Sequence, residues 1–83
     1  MNEARRIQVE YFALLREQAG CSRETRVSAA KDAGALFAEL AAQHGFTLTR
    51  QHLRVAVNDE FADWHTELQE GDRVVFIPPV AGG

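Results

Sequence analysis

The sequence predicts a two-layer α+β domain, a mixed sheet with one main helix packed on one of its faces. Three observations carry this. Leu36, Phe37, Leu40 and Ala41 form an apolar stripe at helical spacing between Asp32 and His44. Short β-type runs flank that stripe on both sides, at Ile7–Phe12, Arg23–Val27, Arg54–Val57 and Arg73–Ile77. The chain has 83 residues, so a single amphipathic helix must serve as the second layer, and the other sheet face is left bare.

Each element has a local cause. Ile7, Val9 and Tyr11 alternate with Gln8, Glu10 and Phe12, the period of a strand. Ala13–Ala19 are good helix formers closed by Gly20, which can take the left-handed conformation of a helix end. Thr25 and Val27 in the polar run Arg23–Val27 suit an edge strand with a wet outer face. Asp32 can cap the first turn of the main helix, Gly45 stops it, and Phe46 is placed for the apolar contact that accompanies such a stop. Gly34 weakens the first turn by up to about 1 kcal/mol relative to alanine. Thr47–Leu53 reads as a loop. Arg54–Val57 forms the third strand, Asn58-Asp59 a hairpin turn, and the residues around Phe61 a short returning strand. Glu70-Gly71-Asp72 turns into Arg73–Ile77, whose near-continuous apolar run is that of a central strand covered on both faces. Pro78-Pro79 ends it, since neither can donate a ladder hydrogen bond. With no linker or repeat inside, residues 1–83 read as one domain, and residues 78–83 as an extended tail.

If Ile7, Val9, Tyr11, Val74 and Phe76 face the helix, then Phe12, Val75 and Ile77 point to the bare side, and Phe61 extends that apolar patch. A patch of this kind on a small domain suggests a docking surface. The competing expectation is that strand bulges or the Thr47–Leu53 loop cover it.

Composition excludes several classes of function. Twelve acidic side chains stand against nine basic ones, and Lys31 is the sole lysine; nucleic-acid binding needs the opposite balance. No apolar run approaches the length of about 18 residues that a membrane helix requires. No apolar leader follows the first charges, so a cytoplasmic protein is expected. Cys21 is the only cysteine, which rules out an internal disulfide, and its setting between Gly20 and Ser22 suggests no catalytic thiolate. His44, His52 and His65 fall on separate elements without metal-ligand spacing and are expected at a helix cap and on the surface. Trp64 is expected to pack against the sheet rim.

The chain ends Val80-Ala81-Gly82-Gly83. Proline fixes its φ near −65°, so the double proline stiffens the exit from the sheet. Terminal glycines have no side chains, and so this end could thread a narrow channel and bring the Gly83 carboxyl carbon against another protein's reactive groups.

At this point Val9–Glu17, Ala56-Val57-Asn58 and above all Leu68–Gly83, with its ending Phe76-Ile77-Pro78-Pro79-Val80-Ala81-Gly82-Gly83, resemble the small subunit of molybdopterin synthase. That is the MoaD family of ubiquitin-like sulfur carriers. The resemblance implies a β-grasp fold. It also implies that the Gly83 carboxylate is adenylated by an enzyme similar to the ubiquitin-activating ones, using ATP with Mg, and is then converted to a thiocarboxylate. The sulfur would come from a cysteine desulfurase or sulfurtransferase. The charged tail would enter the large subunit and donate sulfur to the cyclic pyranopterin precursor, which needs two such transfers to build its dithiolene. Catalytic lysines are implied in the large subunit, and no cofactor is bound by this chain. The implied assembly is a heterotetramer in which Phe12, Phe61, Val75, Ile77, Pro78, Pro79, Val80 and Ala81 meet the partner, while Gly82 and Gly83 carry the chemistry. A sulfur carrier for thiamin thiazole synthesis and a ubiquitin-like protein modifier are the alternatives. Pro78-Pro79 and Leu14-Leu15-Arg16-Glu17 favour the molybdopterin reading over the first.

Overall fold

In the computed structural model, residues 4–79 are described; Val80, Ala81, Gly82 and Gly83 lie outside them, and with them the expected reactive end. Apolar alternation builds β1 (Arg5–Tyr11), followed by α1 (Ala13–Ala19), β2 (Arg23–Ser28) and α2 (Ala33–His44). A 3-10 turn (Arg50–His52) leads into β3 (Arg54–Val57), β4 (Glu60–Ala62) and β5 (Arg73–Ile77). The five strands form one sheet in the order β2-β1-β5-β3-β4. β1 and β5 run parallel at its centre, and the other pairs are antiparallel. This is the expected mixed sheet of a β-grasp fold.

The helix stripe decides which sheet face is dry. Leu36, Phe37 and Leu40 of α2 are buried together with Ile7, Val9, Tyr11, Val55, Val74 and Phe76 from the sheet, and with Leu15 of α1. The helix ends follow the sequence signals: Asp32 Oδ1 accepts from the Ala35 amide at 2.8 Å, and Gly45 takes φ 71°. Phe46 then packs edge-on against Tyr11 and stacks with Phe37. Trp64 lies parallel to Phe76, with centroids 6.0 Å apart, and so closes the rim as expected.

Four expectations need correction. Phe12 is not the last residue of β1. It caps α1 in an extended conformation, and Ala13 after it turns the chain with φ 52°. β5 is central but covered on one face only: Val74 and Phe76 are buried, whereas Val75 and Ile77 are half-buried, because no element among the described residues crosses the far side of the sheet. The Thr47–Leu53 loop contains the 3-10 turn. His44 is no surface cap; it is partly buried and pairs with Glu24 at 2.7 Å. Sequence separation hid that partner, which β2 supplies across the end of α2.

Candidate functional site

The uncovered sheet face is built by register. Asn58 and Asp59 take positive φ, 52° and 72°, and this tight turn places Phe61 directly opposite Ala56. Ala56 in turn pairs with Val75, and Val75 with Glu10. One row therefore runs Glu10, Val75, Ala56, Phe61 across four strands. Nearer the exit of β5, Arg54 sits opposite Ile77. Tyr11 pairs with Phe76, so the next residue, Phe12, is in line with Ile77.

The result is an apolar groove lined by Ala56, Phe61, Val75 and Ile77 with Asp59 at its edge. A second groove, lined by Leu53, Arg54, Phe61, Ile77, Pro78 and Pro79 among others, adjoins it where the chain leaves the sheet. Phe61 is 63% exposed and Phe12 47%. The Thr47–Leu53 segment borders the second groove through Gln51 and His52 without covering either ring. Of the residues expected to meet a partner, Phe61, Val75, Ile77, Pro78 and Pro79 thus line adjoining grooves on one face, whereas Phe12, exposed just past the end of β1, lines neither groove. Val80, Ala81, Gly82 and Gly83 lie outside the described residues.

Charges frame the patch. Arg73 reaches Glu10 at 3.6 Å and also pairs with Asp59. Asn58 Nδ2 donates to Asp72 Oδ1 at 2.9 Å, and the Arg73 amide donates to Asn58 Oδ1 at 3.0 Å. These bonds pin the β3–β4 hairpin to β5 and hold Phe61 in place. The Arg54 guanidinium lies 3.8 Å from the centre of the Phe61 ring, the diagonal neighbour that antiparallel pairing brings within reach. The Arg54–Phe61 stack was legible in principle, since the two-residue turn fixes Ala56 opposite Phe61 and Arg54 shares the face of Ala56.

The described residues contain little chemistry of their own. No group of three or more His, Cys, Asp or Glu side chains among them could hold a metal ion. Burial, and then the charge of Glu24, push the Cys21 thiol up from its ordinary value, which makes it a poor nucleophile at neutral pH. The main buried polar cluster is structural. Tyr11 Oη donates to Glu24 Oε2 at 2.5 Å, and His44 Nε2 lies 2.7 Å from the same oxygen. Burial, reinforced by the bond to Glu24, holds the Tyr11 hydroxyl above its ordinary range. Burial alone would raise the Glu24 carboxyl, but the bonds from Tyr11 and His44 and the charges of His44 and Arg26 outweigh it and lower it. This cluster ties β2 to β1 and α2 and faces away from the grooves; sequence reasoning missed it because its members are scattered along the chain.

Comparison with known proteins agrees with this architecture. The ThiS family model matches residues 9–83. The molybdopterin synthase sulfur carrier subunit of Mycobacterium tuberculosis is 36% identical over 85 aligned positions, covering 94% of this chain and 98% of that one. The crystal structure of SAMP1 from Haloferax volcanii superposes with a TM-score of 0.77 at 26% identity, covering 94% and 99% of the two chains. A complex of subunits 1 and 2 of the molybdopterin-converting factor from Helicobacter pylori contains a chain 28% identical, with a TM-score of 0.68 and coverage of 94% and 99%. The chain belongs to the ThiS family and is a ubiquitin-like sulfur-carrier homologue of the molybdopterin synthase small subunit.

Proposed function

We propose that this protein is the sulfur-carrying small subunit of a cytoplasmic molybdopterin synthase, and that its bare sheet face docks on the large subunit. The observation that carries this is continuity. The apolar grooves lined by Phe61, Val75 and Ile77 run on to Pro78 and Pro79, where the chain leaves the sheet toward Gly82-Gly83, and the exposed Phe12 follows the end of β1 on the same side. A protein seated on this face would receive the tail in the same movement. The homologous subunit in the H. pylori complex is bound to a second subunit, which supports this use of the domain.

The chemistry follows from the carboxyl end. A Gly83 carboxylate oxygen attacks the α-phosphorus of ATP on the activating enzyme and expels pyrophosphate. The terminal sulfur of a cysteine persulfide on a desulfurase or sulfurtransferase then displaces AMP from the acyl adenylate. A second thiol attacks the resulting acyl disulfide, forming a disulfide with that cysteine and releasing the thiocarboxylate. This group is ionised at neutral pH and is a stronger nucleophile than the carboxylate it replaces. After sulfur passes to the pterin precursor, water restores the carboxylate. The domain supplies docking and reach, and the acid–base groups belong to the partner.

Intact-mass spectrometry of the protein from cells with an active cofactor pathway tests this reading. An oxygen-to-sulfur exchange at the C-terminus is expected, whereas a ladder of conjugates would identify a protein modifier. In a precursor-conversion assay with the large subunit, deletion of Gly83 is expected to abolish conversion. Surviving conversion would refute the tail chemistry.

A further inference from the structure

Arg54 and Arg73 lie on the bare face beside the apolar patch, and the structure treats them differently. Arg73 is neutralised by Glu10 and Asp59. Arg54 appears in none of the four ion pairs among the described residues, and its guanidinium instead lies against the exposed Phe61 ring. Stacking occupies the flat face of a guanidinium and leaves its in-plane N–H fork available, the geometry that takes a carboxylate with two parallel bonds.

We propose that Arg54 is a specificity-determining residue of the docking face, and that it pairs with a carboxylate side chain of the large subunit at the rim of the pocket that receives Phe61. This rests on the docking reading above. A partner that buries Phe61 must also strip water from the guanidinium stacked on it. A desolvated charge without a counter-charge opposes binding, so a matched partner supplies one and a mismatched partner is rejected. A protein carboxylate fits better than a nucleotide or pterin phosphate. Gly83 is the sixth residue after Ile77, which Arg54 faces. A tail extended into a partner therefore carries the reacting end roughly 20 Å from Arg54, beyond the reach of its side chain.

The test measures affinity of the full-length protein for the purified large subunit at low and high salt, using wild type, Arg54→Leu, Arg54→Glu and Phe12→Ala, each first checked for unchanged thermal unfolding. Arg54→Leu is expected to weaken binding by about 5- to 10-fold, and Arg54→Glu by about 30-fold or more. Wild type is expected to lose more affinity than Arg54→Leu as salt rises. If both Arg54 variants bind like wild type while Phe12→Ala binds weakly, the role of Arg54 is refuted and the docking face stands. If Phe12→Ala also binds like wild type, the docking reading itself fails. If Arg54→Glu slows adenylation by the activating enzyme without changing large-subunit affinity, Arg54 serves a different protein and the proposal is overturned.

Discussion

Replacing Phe61 with alanine should separate docking from folding. The ring is 63% exposed in the free protein, so about two-thirds of its burial value is still available to a partner. Full burial of a large apolar side chain is worth roughly 1.5–3 kcal/mol, which leaves about 1–2 kcal/mol for the interface. That corresponds to a 5- to 30-fold rise in Kd for the large subunit. The folding cost is the remaining third of the burial plus the stack with Arg54, about 0.5–1 kcal/mol each. Phe61→Ala should therefore destabilise the domain by about 1–2 kcal/mol, against about 3–5 kcal/mol for the same change at Phe76, which is fully buried beneath α2. Denaturant unfolding of both variants gives the stability comparison, and calorimetric titration with the large subunit gives the affinity. The reasoning is refuted if Phe61→Ala unfolds as readily as Phe76→Ala, or if it binds the large subunit like wild type.

Two further outcomes follow from packing and charge. Glu24 has a folded-state pKa below its unfolded value, so its contribution is present above the ordinary carboxylate pKa, roughly 4.3, and is lost as pH falls through the folded value. Glu24→Gln should accordingly lower stability at pH 7 and converge on wild type in acid; a gap that stays constant with pH would contradict this account of the cluster. A side chain at Gly34 would run into the end of Arg50 and come within 3.1 Å of the Trp64 carbonyl oxygen, to which the Gly34 amide donates at 2.8 Å. Gly34→Ala should thus destabilise by about 1 kcal/mol or more through overpacking, despite alanine's better helix propensity. A higher melting temperature for this variant would show that the loop yields freely.

The sequence by itself determined the elements and their order, because periodicity, caps and turns are local. The Leu36-Phe37-Leu40-Ala41 stripe, the Asp32 cap, the Gly20 and Gly45 stops and the Asn58-Asp59 turn all formed as their residue types dictate. Local pattern also marked Phe12, Phe61, Val75 and Ile77, since alternation assigns faces wherever one face must be dry. Strand pairing was beyond its reach. Only the tertiary structure decided that β5 lies between β1 and β3, and that Phe61, Val75 and Ile77 converge beside Pro78 and Pro79. It also decided that Glu24 meets Tyr11 and His44, and that Trp64 closes over Gly34. These contacts join residues far apart in the chain, and they depend on which strands neighbour which, a choice made by burying the whole core at once and not by any short segment.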